Sequence, residues 1–316
     1  MGAFFILSGF LVAGSARRIR NAGQFLWCRA LRIVPALAVE VTLSAVVLGA
    51  LFTQHTLKDY FTDEQFFRYF LNIFGLVSFQ LPGVFTENPL PGIVNANLWT
   101  LPAEFYCYAI MLALIMSGVI NEQKKFGLLF LLVFLTLILT GLLMPSLRVS
   151  RQDTFRFSDW FIVYLFFVGI LFYVYSDKIV LNKVLFIFFG ITYFGLMIVN
   201  IFIFDVLAGI FLSYCVIYLG MTRYSFFEKH VKGDYSYGIY LYGAPIIQAT
   251  IAIVHSTGGA LYTPATLAFI TVTAVITTIA FSYGSWKLVE KHALRMKHLG
   301  QNKYLEKFRV IWETPP

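Results

Sequence analysis

Eight stretches of the chain stay apolar over seventeen or more residues, at about 33–52, 98–120, 126–145, 159–175, 184–200, 203–220, 235–255 and 265–288. No other feature restricts the fold as strongly. A helix rises about 1.5 Å per residue, so roughly 20 mostly apolar residues cross about 30 Å of hydrocarbon. In that medium a backbone has to satisfy its own hydrogen bonds, which a helix does within one segment. The expected fold is therefore all-α, a polytopic transmembrane helix bundle of eight full spans plus an N-terminal partial span. Composition agrees, because 59% of residues are hydrophobic and only 13% charged, where soluble domains carry about a quarter charged.

The amino end, MGAFFILSGFLVAG, is apolar from its first residue, but fourteen helical residues reach only about 21 Å. It has no basic n-region and no small-residue cleavage site, which argues against a signal peptide. It reads as half of a helix whose beginning lies outside this sequence. If the RRIR segment is cytoplasmic, alternating connections place 19 Lys and Arg inside and 5 outside, the asymmetry of the positive-inside rule. The carboxyl terminus is then cytoplasmic, with 296–316 as a basic tail after a membrane domain over 1–295. The net charge of +8 is accounted for by topology and by anionic membrane lipid, and no nucleic-acid motif accompanies it. Cys28, Cys107 and Cys215 show no paired or metal-ligand spacing and read as buried small hydrophobes. The apolar stretch 66–81, within the long connection 53–97, is expected to lie at the outer interface or to re-enter the protein, since Arg68 opposes a ninth span.

Ionisable groups within such spans are candidates for function. Glu104 stands in NLWTLPAEFYCY with no basic residue within fifteen positions. Either it has a functional role, or Asn97 or Thr100 caps a helix with Pro102 in its first turn, where the macrodipole favours an acid. Thr100, four residues earlier, shares its helical face and can orient the carboxylate or a substrate hydroxyl. Trp99 can stack on a sugar ring or serve as an interfacial belt residue. Arg29 and Arg32 also share a face; their guanidinium forks suit phosphates, or they snorkel as topological anchors like Arg17, Arg18 and Arg20. Ser8 and Gly9 either allow close helix packing or line a cavity. Glu40 is expected to pair with an arginine, and Glu290 to be an ion-pair partner among Lys287, Lys291 and Arg295. Asp205 is placed near a turn between spans. His55, His230, His255, His292 and His298 read as surface or interface residues.

Five segments, FFILSGFLVAGS, FLWCRALRIVPAL, NLWTLPAEFYCY, YSYGIYLYGAPIIQ and FSYGSWKLVEKHAL, together resemble, in order, the signature segments of the bacterial acyltransferase 3 family. The resemblance spans residues 2 to about 295. It implies a ten-span membrane O-acyltransferase of the bacterial plasma membrane. Such an enzyme moves an acyl group from cytosolic acyl-coenzyme A to a hydroxyl of an extracytoplasmic glycan or lipid-linked sugar, with exopolysaccharide the weaker, finer indication. It further implies an important acid at Glu104, donor contacts at Arg29 and Arg32, and a cavity lined by the helix of Ser8 and Gly9. Where members often carry a His, this chain has Gly243, leaving Tyr237, Tyr240 and Tyr242 for polar contacts. Family members also bear an Arg and, some ten residues on, an essential His in a first helix that has no counterpart here. The sequence is therefore expected to be amino-terminally incomplete, the other possibility being an inactive member. No bound cofactor or metal is expected; acyl-coenzyme A is a co-substrate. A transporter or flippase is the alternative from another class, disfavoured because no inverted repeat is evident.

Overall fold

The computed structural model describes residues 1–19, 21–144, 159–199, 202–222, 233–258 and 262–298. Arg20, His230, the connection 146–158 and the tail from 299 onward lie outside the described residues, as does the side chain of His298. The helices in chain order are α1 (Gly2–Ile19), α2 (Ala22–Leu43), the short α3 (Leu57–Thr62) and α4 (Glu64–Tyr69), α5 (Leu101–Met116), α6 (Gln123–Leu143), α7 (Asp159–Val174), α8 (Lys183–Val199), α9 (Phe202–Met221), α10 (Ser236–Ser256), α11 (Pro264–Ser285) and α12 (Lys291–Arg295). A π-helical turn, Ser44–Leu48, carries α2 on to Phe52, and another, Trp286–Glu290, joins α11 to α12. Each expected span is a helix. Among the described residues, six helical stretches are long and apolar enough to cross a membrane, among them α1, whose eighteen residues extend beyond the partial span expected there, and those beginning at Trp160, Lys183 and Asp205 are shorter apolar helices.

Burial supports the membrane reading. Leu128, Leu131, Leu132, Leu135, Leu139 and Leu142 on α6 are all exposed, as are Phe269, Val272, Val275, Ile276 and Ile279 on α11. Apolar faces of that extent are a liability in water and suit hydrocarbon. The chain is a membrane-embedded helical protein. The stretch 66–81 forms no span: it holds the end of α4, a 3₁₀ turn over Phe70–Phe74 and a left-handed Gly75. Buried Asn72 closes the following bend by donating to the Tyr69 and Ser78 carbonyls at 2.7 and 2.8 Å.

The chain divides into two compact units. The first comprises Met1–Leu26 and Ala103–His230. Its centre is α7, in which residues 161–170 are all buried, as expected of a helix apolar on every face. Against it lies α1, and the two helices meet through glycine. A Cβ added at Gly9 would run into the Phe166 carbonyl, and one added at Gly169 would run into the carbonyl of Ile6. Without a hydrophobic force between helices in lipid, such backbone proximity supplies the packing. Gly9 therefore takes the packing role, while Ser8 beside it is half-buried. The helix α1 also packs on α9, and Tyr164 of α7 donates to the Val206 carbonyl of α9 at 3.0 Å.

The second unit comprises Trp27–Pro102 and Val231–Pro316. Here α10 packs along α11. Thr263 caps α11, accepting from the Thr266 N–H at 3.1 Å, with Pro264 opening the helix where its missing N–H costs nothing. Tyr60 of α3 donates to the Ala45 carbonyl in the first π-helical turn at 2.6 Å.

The glycine contact in the first unit gives a directional test. A Gly9→Ala substitution should destabilise the protein by roughly 1–3 kcal/mol through overpacking. The change Gly195→Ala on α8, where nothing lies within 4 Å of an added Cβ, should be neutral or gain up to about 1 kcal/mol of helix propensity. Thermal unfolding in detergent separates them, and equal melting temperatures for the two variants would refute a close contact at Gly9.

Candidate active site

The polar residues of the second unit are organised by the part of the connection 53–97 that leads into α5. From Asn88 onward this segment runs alongside α10 in the opposite direction. Asn88 donates to the backbone and side-chain oxygens of Gln248 at 2.9 and 3.1 Å. Gln248 donates in return to the carbonyls of Leu90 and Ile93 at 2.8 and 2.5 Å. Asn95 reaches Leu241 at 2.9 Å, and Asn97 reaches Tyr240 at 2.7 Å. Tyr240 is four residues from the start of α10, a distance of about 6 Å along the helix. The segment thus delivers Thr100 to within about a turn of that helix start. Irregular backbone at such depth is tolerated where protein surrounds it.

A proline explains one of these bonds. Pro245 has no N–H to offer the carbonyl four residues earlier, which is that of Leu241. Asn95 donates to that carbonyl, and the same Nδ2 group donates to Glu40 Oε1 at 2.9 Å. The Asn95 Oδ1 accepts from the Asn97 N–H at 3.1 Å, capping the 3₁₀ turn Ala96–Thr100. The cap is therefore Asn95 rather than Asn97 or Thr100. Glu40 also departs from expectation. It is fully buried and receives Ser44 Oγ at 2.8 Å as well as Asn95, so amide and hydroxyl donors take the place of the expected arginine. Ser44 opens the π-helical turn of α2 and, with Leu48, Phe52, Tyr242, Pro245 and Phe281, borders an apolar cavity of about 380 Å³.

Thr100 is fully buried. The Tyr240 hydroxyl donates to the Asn97 carbonyl at 2.6 Å and lies 2.7 Å from the Thr100 hydroxyl. With its one proton committed, Tyr240 accepts from Thr100. Tyr240 stacks on Tyr237, ring centroids 6.1 Å apart, and Tyr237 in turn lies under the Arg32 guanidinium at 5.9 Å. Arg32, Tyr237, Tyr240 and Thr100 thus form a continuous series of contacts. A Cβ at Gly243 would face Asn97 Nδ2 at 3.9 Å, so that position borders the same turn. Trp99 is half-buried.

Arg32 is engaged from two sides. Its Nη2 meets Asp234 at 2.5 Å, and its Nη1 lies 3.7 Å from Glu290. Glu290 thus pairs with an arginine distant in sequence rather than with its neighbouring lysines. Ser285 donates to Glu290 Oε1 at 3.1 Å across five residues, a spacing that the π-helical turn brings into line. Partial burial raises the carboxyl pKa of Asp234, but hydrogen bonds from Ser236 and the Arg32 guanidinium outweigh it and hold the group below its ordinary value. Arg29 is half-buried one turn earlier on α2.

In the first unit, Glu104 stands buried in the first turn of α5, where exposed helical N–H groups favour an acid. Asp205 likewise is buried in the first turn of α9. His255, in the last turn of α10, lies 3.6 Å from Glu87 at the exposed end of the second unit, and His55 and His292 are exposed. Asn95 and Asp234 were not evident as site residues from sequence. Their signals, an Asn two residues ahead of another before LWT and an acid immediately preceding YSYGIY, become distinctive only with their partners in view.

The acyltransferase domain family matches residues 1–284. An O-acetyl transferase of Shigella phage Sf6 is 29% identical over 304 residues, covering 92% of this chain and 83% of that protein. No solved structure matches the chain. With a family match over most of its length and a membrane-embedded helical fold, the chain belongs to the acyltransferase 3 family of enzymes.

Proposed function

We propose that this O-acyltransferase takes an acyl group, acetyl in the simplest case, from cytosolic acyl-coenzyme A and transfers it to a hydroxyl of an extracytoplasmic glycan or lipid-linked sugar. The setting is the bacterial plasma membrane, with the carboxyl terminus in the cytoplasm. The observation that carries this reading is the series of contacts from Arg32 through Tyr237 and Tyr240 to Thr100. It joins a phosphate-type cation to a buried hydroxyl pair within one unit. In this scheme Arg29 and Arg32 hold the phosphates of the donor, for which the guanidinium fork is suited. Thr100, Tyr240 and Trp99 receive the acceptor, the hydroxyls by hydrogen bonding and the indole by stacking.

In the transfer the acceptor oxygen attacks the thioester carbonyl, and as the tetrahedral intermediate collapses the carbon–sulfur bond breaks and the acceptor's proton passes to the departing sulfur, releasing coenzyme A as the thiol. Glu104 orients or polarises the acceptor hydroxyl, a task for which a carboxylate at a helix start is suited. Asn95 and Glu40 hold the turn that carries Trp99 and Thr100.

Two variants test the scheme. Glu104→Gln should lower transfer of radiolabelled acetyl from acetyl-coenzyme A to membrane glycan by about 10²-fold or more, the range for losing one group that polarises a reacting oxygen, with monodisperse protein retained. Activity equal to wild type would remove Glu104 from the reaction. Asn95→Ala should cost roughly 2–4 kcal/mol of stability, because it leaves the Leu241 carbonyl and part of Glu40 without donors, and should lower transfer along with melting temperature. A variant that melts like wild type would show that the turn is held by other means.

A further inference from the structure

Glu290 and Asp234 hold Arg32 differently. Glu290 is 2% exposed at its side chain and fixed by Ser285, whereas the side chain of Asp234 is 52% exposed. Two anions therefore share one guanidinium, one locked inside the protein and one on its surface. We propose that Asp234 is a placeholder: it occupies the outward Nη2 edge of Arg32 until a phosphate group takes that place, and Lys297 is a further cation for that phosphate. The proposal rests on the donor reading of Arg32 given above and adds to it both the competing carboxylate and the third basic residue.

The geometry supports an exchange at the outer edge alone. The contact from Nη1 to buried Glu290 and the stacking on Tyr237 keep the guanidinium in place while Nη2 changes partner. Asp234 does not lose its own support on release, since its Oδ1 accepts from the Ser236 hydroxyl at 2.6 Å and from the Ser236 N–H at 3.3 Å. An arginine edge offers paired N–H donors that match phosphate oxygens better than a single carboxylate oxygen does. Lys297 follows Met296, whose carbonyl accepts from Trp27 Nε1 at 3.5 Å, so its turn is tied to the start of α2 two residues ahead of Arg29. Partial burial and the positive charges of Arg29 and Arg32 lower the ammonium pKa of Lys297, with Asp234 acting in the opposite sense, so the lysine shares the electrostatic surroundings of that carboxylate and both arginines. Phosphates of coenzyme A and of anionic lipid headgroups share this chemistry.

The full chain, purified in neutral detergent, is titrated with coenzyme A by calorimetry and, separately, melted with and without phosphatidylglycerol. Asp234→Asn, which keeps the contacts to Ser236, should bind coenzyme A roughly fivefold more tightly than wild type, the scale of one surface ion pair removed from competition. Lys297→Met, which disturbs no hydrogen bond named above, should bind it roughly fivefold more weakly. If instead both variants match wild type toward coenzyme A but shift the stabilisation by phosphatidylglycerol in those same directions, the exchange stands with a lipid as its phosphate source, and the donor reading of Arg32 fails. Variants indistinguishable from wild type toward both ligands overturn the placeholder. A wild-type affinity for coenzyme A that Arg32→Met lowers would, in that case, leave the donor reading standing.

Discussion

An apolar interior obliges every buried polar group to find a partner, and the second unit is arranged by that obligation. Pro245 deprives the Leu241 carbonyl of its helical donor. The donor comes from Asn95, on an irregular segment that could not lie at this depth without α10 to receive its own polar groups. One side-chain amide thereby joins three elements, its nitrogen reaching α10 through Leu241 and α2 through Glu40, and its oxygen capping the turn that carries Trp99 and Thr100. Removing the proline would give Leu241 a donor of its own, and Asn95 would lose a reason to sit there. A residue that disrupts a helix elsewhere is here what ties a loop to one.

The first unit answers a different problem with a different device. Lipid offers no hydrophobic drive for helix association, and α1 and α7 are brought together through their backbones. Close backbone contact does the work, with Gly9 facing a carbonyl of α7 and Gly169 facing a carbonyl of α1. The two contacts are reciprocal, so they fix both the crossing point and the depth of one helix against the other. Packing by glycine tolerates no side chain, whereas packing by amide and hydroxyl tolerates only the right one.

Much of this was legible in sequence because it is local. Span positions follow from runs of apolar residues, and the family from five short segments in order. The proximity of Arg29 and Arg32 follows from helical spacing. The Asn95 partner of Glu40 and the Asp234 and Glu290 partners of Arg32 were not legible, because they lie from 55 to 258 residues away, and Ser285 reaches Glu290 through a π-helical turn that hydropathy does not register. Glu40 illustrates the limit. Helical geometry pointed to an arginine two turns back, yet the tertiary fold gave that arginine to Asp234 and Glu290 and left Glu40 with an amide. Likewise Thr100 fell on the face of Glu104 by spacing, but a 3₁₀ turn ends at Thr100, and its hydroxyl goes to Tyr240.

The distribution of acids around Arg32 also bears on how a half-buried cation, proposed above to bind the donor, can be offset without being neutralised for good. A guanidinium at the edge of a helix bundle needs one permanent anion to offset its desolvation. Two permanent anions would leave nothing for a substrate. Here the permanent partner is set inside by Ser285 and the π-helical turn, while the second is a surface carboxylate supported by Ser236 in its own right. Tyr237 adds a face that accepts the cation without charge. The same ring stacks on Tyr240, which holds Thr100. Arg32 and the hydroxyl pair proposed to meet the acceptor are therefore joined through two rings in contact, and a guanidinium held on that face keeps its position whichever anion occupies its outer edge.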